Sequence, residues 1–148
     1  MKQLRVYIEN SVVGGYFDTS FEEATRKLFE KFRSSEYCAV ISTHTYGELN
    51  NGAPDYIKSN LETVPYEKID VTEAMLNLTQ RYIDEKIVSE QYRSDALHIA
   101  IATISGVDVL VSWNFKHIVN LNRIKLFNSV NLKEGYNLLE IRTPLEVI

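Results

Sequence analysis

Carboxylate and amide side chains stand near the ends of predicted strands in separate parts of the sequence. Glu9 directly follows one short apolar run, and Glu48 lies in the helical segment after a second. Asp95 begins a predicted helix, and Asn114 follows a third apolar run. Carboxylates that converge repel one another unless a cation neutralises them. Because these are hard oxygen ligands, they suit magnesium or manganese, an ion that supports phosphodiester hydrolysis.

The elements that would position these residues can be predicted from hydrophobic periodicity. Short runs rich in apolar and β-branched residues predict strands at 4–8, 39–42, 66–71 and 107–112. Helical spacing of apolar residues predicts helices at 21–32, 43–49, 55–63, 73–83, 95–104 and 115–124. Ser20, Thr72 and Ser94 are candidate helix caps, and Gly106 should end the helix that begins at Asp95. A short edge strand is expected around 138–141.

Strands that alternate with helices at this spacing predict an α/β fold, a three-layer α/β/α sandwich with a mostly parallel central sheet. No repeat or linker divides the chain, so residues 1–148 should form a single domain. In such sheets ligands bind at the carboxyl ends of the strands. Glu9, Glu48 and Asn114 all follow strands, and a helix that leads into a parallel strand begins at the same edge. Asp95 is therefore expected there too.

Composition limits the classes of function. Hydrophobic residues make up 45% and charged residues 24% of the chain, which are ordinary values for a globular protein. The net charge of −4 argues against broad electrostatic binding to nucleic acid but allows a local basic rim. The single cysteine, Cys38, indicates a reducing compartment. Because no segment resembles a signal peptide or a membrane span, we expect a cytoplasmic protein without membrane partners.

Three segments carry a resemblance to a known family. The stretches VYIENSVVGGYF, STHTYGELNN and RSDALHIAIATISGVDVLVSWNFKHIVN, in this order, resemble those of PIN-domain proteins. The similarity runs from Leu4 to about Asn122 and is most specific around DALHIA and VLVSWNFKH. It implies an α/β/α sandwich and a Mg- or Mn-dependent ribonuclease acting on RNA. Many such proteins are the toxin of a type II toxin–antitoxin pair, so an antitoxin partner and a homodimer are expected.

The resemblance assigns the polar residues to positions. Glu9 stands at the first acidic position, where the family usually has aspartate, and Glu48 and Asp95 stand at the second and third. Asn114 falls where many members have a fourth acid. These four are the candidate catalytic and metal-binding residues. The candidate supporting residues are Asn10, Ser11, Ser112 and His98. The candidate RNA contacts are Arg93, Lys116 and His117.

Two departures from the family pattern keep an alternative open. Glu9 is longer than aspartate, and Asn114 removes a charge, so one ion is more credible than two. The alternative is a catalytically impaired PIN-like module that binds RNA or a protein partner without cleavage. A DNA-directed nuclease is a third possibility. A zinc site is not expected, because His44 and Glu48 have the spacing of a metal pair but the sequence shows no third soft ligand nearby.

Overall fold

One parallel sheet forms the centre of the protein. In the computed structural model, which describes residues 2–148, the sheet has the strand order β3-β2-β1-β4-β5, and every neighbouring pair is parallel. The strands are β1 (Leu4–Ile8), β2 (Tyr37–Ser42), β3 (Tyr66–Ile69), β4 (Val109–Val111) and β5 (Ile141–Arg142). The chain moves outward from β1 through β2 to β3 and then crosses to β4 on the other side. The strand order therefore switches between β1 and β4, where α/β sheets bind ligands.

Helices cover both faces of the sheet. They are α1 (Asn10–Gly15), α2 (Glu22–Arg33), α3 (Thr43–Asn50), α4 (Asp55–Leu61), α5 (Glu73–Asp84), α6 (Arg93–Ser105) and α7 (Leu121–Lys133). One buried core holds residues of α5, α6 and α7, and the other holds residues of α1 to α4. Side chains of β1 alternate between them, with Val6 and Ile8 in one core and Tyr7 in the other. The predicted three-layer α/β/α sandwich is confirmed.

Two predicted helix starts are wrong. Ser20 does not cap α2, which begins at Glu22 without a side-chain cap. The helix predicted at 115–124 is instead α7, which begins at Leu121 because Asn120 caps it by accepting a hydrogen bond from the backbone N–H of Arg123 at 3.2 Å. The segment before Asn120 forms turns.

Other predicted features of the chain are present. Thr72 caps α5, and Gly106 ends α6 in the left-handed conformation with a φ of 65°. Within residues 2–148, no helix is long and apolar enough to cross a membrane.

Candidate functional site

Glu9 is a buried carboxylate at the carboxyl end of β1. It caps α1, a helix that the sequence did not predict: Oε2 accepts a hydrogen bond from the backbone N–H of Ser11 at 3.0 Å, and Oε1 accepts one from the Ser11 hydroxyl. The residue is 5% exposed and has no ion-pair partner among residues 2–148. Burial raises the pKa of Glu9, and the charge of His98 and the Ser11 hydrogen bonds offset this only in part. The negative charge of an ionised Glu9 is therefore only partly compensated by the surrounding protein.

Two serines connect Glu9 to the end of β4. The Ser11 hydroxyl accepts a hydrogen bond from the backbone N–H of Trp113 at 2.9 Å and lies 3.4 Å from the Ser112 hydroxyl. The Ser112 hydroxyl accepts one from the backbone N–H of Asn114 at 2.9 Å. These contacts fix the relative position of the β1 and β4 ends, the point where the strand order switches. Ser11 and Ser112 thus lie between Glu9 and the turn after β4, and their supporting role remains a prediction.

Asp95 and Asn114 lie beside each other at the same edge. Burial raises the pKa of Asp95, with partial offsets from the charges of His117 and His98 and from a hydrogen bond with the Asn114 side chain. The Asn114 Oδ1 atom also accepts hydrogen bonds from the backbone N–H groups of Lys116 at 3.2 Å and His117 at 3.0 Å. Both lone pairs of that oxygen are therefore used in closing the turn after β4.

Glu48 points towards two histidines and a serine. Its Oε1 lies 2.7 Å from Nε2 of His98 and 3.6 Å from Nε2 of His44. Its Oε2 accepts a hydrogen bond from the Ser94 hydroxyl at 2.7 Å. Burial alone would raise the pKa of Glu48, but hydrogen bonding and charge from His98, with further help from Ser94 and His44, lower it below its ordinary value. Glu48 is therefore compensated by protein groups, unlike Glu9.

Two sequence-based statements are corrected by these contacts. Ser94 was predicted to cap the helix, but α6 begins at Arg93 with no side-chain cap, and the Ser94 hydroxyl contacts Glu48 and His44 instead. The statement that no third ligand lies near His44 and Glu48 is wrong, since His98 completes the group. His98 was predicted as a supporting residue, but its contact with Glu48 joins two helices that are distant in sequence and could not be inferred from spacing.

His98 is the buried centre of the acidic edge. It is 1% exposed, and its Nδ1 lies 2.7 Å from the Tyr7 hydroxyl, which in turn lies 2.8 Å from the Ser42 hydroxyl. Its charge lowers the pKa of Glu9, of Glu48 and of Asp95. All three acids therefore lie within the electrostatic influence of His98.

The acids share an edge without already forming a closed metal cage. In the described part of the chain, the one group of three metal-ligand side chains with donor atoms within 4.8 Å of one another is His44, Glu48 and His98. Like charges separate when no cation lies between them, and Glu48 is turned towards His98. The metal-binding roles of Glu9, Glu48, Asp95 and Asn114 remain predictions.

The remaining candidates differ in their availability to RNA. Arg93 is half-buried, and its guanidinium donates hydrogen bonds to Glu90 and Gln80, each at 2.6 Å. Lys116 is exposed in the turn that follows the carboxyl end of β4. His117, the third candidate RNA contact, is 6% exposed and stacks on the Tyr92 ring, with centroids 3.7 Å apart.

The Asn10 side chain uses its amide nitrogen, but not its amide oxygen, in a hydrogen bond. Its Nδ2 donates a hydrogen bond to the backbone carbonyl of Thr45 at 3.1 Å, which joins α1 to α3. Its Oδ1 is buried and has no hydrogen-bond partner within residues 2–148. Asn10 can therefore hold these two elements together while one acceptor stays available beside Glu9.

Comparison with known proteins bears on the fold. No family model matches the chain, and no curated protein matches it. Among solved structures, the chain is similar to VapC20 of Mycobacterium tuberculosis, a toxin that cleaves the sarcin–ricin loop, with a TM-score of 0.57 and 14% identity over 76% of this chain and 92% of the toxin. The chain has the fold of this toxin. It is also similar to tyrosyl-tRNA synthetase of Aeropyrum pernix, with a TM-score of 0.56 and 11% identity over 96% of this chain and 52% of the synthetase.

These similarities show the fold alone. A toxin and a synthetase match the chain with nearly equal TM-scores, and one architecture can host many functions. The chain spans about half the length of the synthetase and nearly the whole toxin. The function must therefore be argued from the side chains at the carboxyl edge.

Proposed function

We propose that the protein is a divalent-metal-dependent endoribonuclease, with its site at the carboxyl ends of β1 and β4. The observation that carries this proposal is the pair Glu9 and Asp95. Both carboxyl groups are raised in pKa by burial, and neither has an ion-pair partner in the described chain. A bound cation would supply the missing compensation. The toxin-like fold and the resemblance of the sequence to PIN-domain ribonucleases support the choice of RNA as substrate.

The residues present fit magnesium or manganese. Glu9, Glu48 and Asp95 offer carboxylate oxygens, the donors that these hard cations prefer. Neither Glu9 nor Asp95 has a histidine or cysteine positioned as a co-ligand in a compact group. When bound, such an ion lowers the pKa of a coordinated water and neutralises charge on the phosphate. Asn114, adjacent to Asp95, is proposed to help orient a water.

The chain's own residues hold this arrangement in place. Ser11 donates to Glu9 and receives the N–H of Trp113, so that the Glu9 carboxylate cannot rotate freely. Ser112 fixes the turn that carries Asn114. Lys116, exposed at the same turn, is placed to attract the RNA phosphate. An antitoxin partner and a homodimer belong to the same proposal.

A second candidate function is supported by the position of Glu48. This carboxylate is held by His98 and Ser94, so that recruitment to an ion beside Glu9 requires it to leave both partners. If breaking the Glu48 contacts costs more free energy than binding the ion provides, the site does not bind magnesium. The protein would then be a PIN-like module that binds RNA or a protein without cleaving.

The test is cleavage of a mixed RNA pool by the purified protein with manganese, magnesium or EDTA. We expect metal-dependent cutting by the wild type and its loss in Asp95→Asn. The matched control is Asp108→Asn, because Asp108 precedes β4 at the opposite edge, where its Oδ2 accepts the backbone N–H of Arg5 at 2.8 Å. Asp108→Asn should cut like the wild type.

The contrary results separate the two candidate functions. Folded wild type that does not cut with either ion contradicts the nuclease, and RNA retention on a filter by the same protein would support the binding module. Equal cutting by Asp95→Asn and the wild type would remove Asp95 from the site.

A further inference from the structure

His44, Glu48 and His98 form a compact group of donors of mixed type. The Glu48 Oε1 atom lies 2.7 Å from Nε2 of His98 and 3.6 Å from Nε2 of His44, and all donor atoms of the group lie within 4.8 Å of one another. Two imidazoles and a carboxylate are the ligand set of a common class of zinc site with an open position. The magnesium or manganese site proposed beside Glu9 uses oxygen ligands and does not require the imidazoles of His44 and His98.

The spacing of the donors is close to that of a bound transition metal. Bonds of about 2.0–2.1 Å in tetrahedral geometry separate neighbouring donors by about 3.3 Å. The two distances from Glu48 lie on either side of that value, one shorter and one longer. Shifts of a few tenths of an ångström at the donor atoms would bring both distances to about 3.3 Å.

The surroundings of His98 favour the same role. Its Nδ1 lies 2.7 Å from the Tyr7 hydroxyl, and that hydroxyl lies 2.8 Å from Ser42. When a metal takes Nε2, Nδ1 carries the proton and can donate it to the Tyr7 oxygen, while the Tyr7 hydroxyl donates to Ser42. Metal-ligating histidines typically have such an outer hydrogen bond, which fixes the tautomer and the ring plane.

The other two donors can be reached from solvent. The side chains of His44 and Glu48 are 20% and 35% exposed, whereas that of His98 is 2% exposed. The Ser94 hydroxyl donates to Glu48 and lies 2.8 Å from Nε2 of His44, so a metal bound at that nitrogen would replace the contact between His44 and Ser94.

We propose that His44, Glu48 and His98 bind a transition metal of the zinc class, and that this metal competes with the proposed magnesium or manganese site for Glu48. The binding part goes beyond the proposed function and does not need it, whereas the competition rests on it. Imidazole selects zinc, nickel, cobalt or copper over magnesium. Because one carboxylate cannot serve both groups without compromise, zinc would act as an inhibitor of the nuclease.

The site is tested with Co²⁺ as the probe, on metal-free full-length protein. Visible absorption reports whether cobalt leaves its six-coordinate aqueous state for a nitrogen-containing site of low coordination number, and calorimetry gives the affinity. Replacing a ligand by His44→Gln should weaken binding by more than the roughly 10–100-fold typical of losing an outer partner. Tyr7→Phe, which removes such an outer partner, should fall within that range.

The control is His117→Gln, which removes the chain's remaining imidazole and should leave the cobalt spectrum and affinity unchanged. His44 is the preferred ligand variant, because buried His98 also supports the core. Wild type that leaves the cobalt spectrum in its aqueous form, or His44→Gln that binds cobalt as tightly as the wild type, would overturn the site.

The variant Asp95→Asn distinguishes this site from the nuclease. It should retain cobalt binding even where it abolishes RNA cleavage. Loss of the proposed zinc-class site would therefore appear in the cobalt measurement, and failure of the nuclease proposal would appear in the cleavage assay. In the wild type, added Zn²⁺ should reduce magnesium-dependent cleavage, and His44→Gln should resist that inhibition. Zinc inhibition that is equal in both proteins would remove the competition while leaving the binding result to stand or fall by the cobalt spectrum.

Discussion

Replacing Glu9 by glutamine tests whether the carboxylate at the end of β1 needs a cation. Glu9 is 5% exposed, and burial raises its pKa despite the charge of His98 and the hydrogen bonds from Ser11. Glutamine has nearly the same size and keeps one carbonyl oxygen that can accept the N–H of Ser11. In the metal-free protein the substitution therefore removes a buried charge and weakens one hydrogen bond.

The sizes of the two effects decide the expected sign. A hydrogen bond to a charged group contributes about 1.5–3 kcal/mol to stability. A buried charge that its surroundings compensate only in part costs several kcal/mol. The second effect is larger, so metal-free Glu9→Gln should be more stable than the wild type at neutral pH, by about 1–3 kcal/mol in the free energy of unfolding.

The pH dependence has a defined direction. A carboxyl group with a folded pKa above its unfolded value favours folding while protonated, and loses that contribution as the pH rises through the folded pKa. The pKa of Glu9 is raised from a reference value of 4.5. Between that value and the folded pKa, the stability of the metal-free wild type should fall with rising pH, and Glu9→Gln should fall less. Urea unfolding in EDTA over a pH series measures both slopes.

Magnesium should reverse the order of the two proteins. A ligand at about one hundred times its Kd stabilises the folded state by about 2.7 kcal/mol. For a chain of about 150 residues this raises Tm by about 5–11 °C. We expect such a shift in the wild type and little in Glu9→Gln. If Glu9→Gln is less stable than the wild type in EDTA and shows the same magnesium shift, Glu9 is not an uncompensated ligand and the reasoning fails.

Two further substitutions test the supporting structure, each by urea unfolding. A Cβ at Gly15 would lie 2.9 Å from the indole of Trp113, so Gly15→Ala should cost about 1–3 kcal/mol by overpacking; Gly14→Ala, with no atom within 4 Å of its added Cβ, is the control and should not destabilise. Tyr82→Phe leaves Oδ1 of Asn131 without its buried donor and should cost about 1–3 kcal/mol. Equal stability of the two alanine variants, or an unchanged Tyr82→Phe, would contradict the packing described.

The sheet could be predicted from sequence because its signals are local. The β1 residues that alternate between the two cores are all apolar or aromatic, so a short run was sufficient to indicate a strand buried on both faces. Gly106 adopts a positive φ that other residues rarely adopt, and Thr72 offers a hydroxyl at the first turn of α5. In each case the residue type itself carries the conformational preference.

The start of α7 could not be predicted in the same way. Asn114 and Asn120 both accept hydrogen bonds from backbone N–H groups three residues ahead. Either is therefore a valid helix cap in local terms. Which one begins the long helix depends on how the following residues pack, and Phe127 and Val130 of α7 lie in the core. Asn114 and Asn120 have the same local preference for a capping position, so tertiary packing determines where α7 begins.

The candidate site was predicted at the level of the edge but not at the level of contacts. Parallel topology alone places Glu9, Glu48 and Asn114 after strands at one edge. Whether Glu48 faces Asp95 or His98 depends on the alignment of α3 against α6, which no local pattern encodes. The same holds for Ser94. A serine at the start of a helix is predicted as a cap, and the sequence does not show that its hydroxyl contacts Glu48 of α3 instead.

The charges at this edge are unequally compensated, and that inequality organises both proposals. Glu48 has His98, Ser94 and His44 around it, and its pKa is lowered. Glu9 and Asp95 are compensated only in part, by hydrogen bonds and by the charges of His98 and His117, and their pKa values are raised. Under the two proposals, a hard cation would bind beside Glu9 and Asp95, and a zinc-class cation would bind between Glu48 and the imidazoles. Because Glu48 is the one acid that belongs to both proposed groups, the direction in which it turns would determine which metal binds.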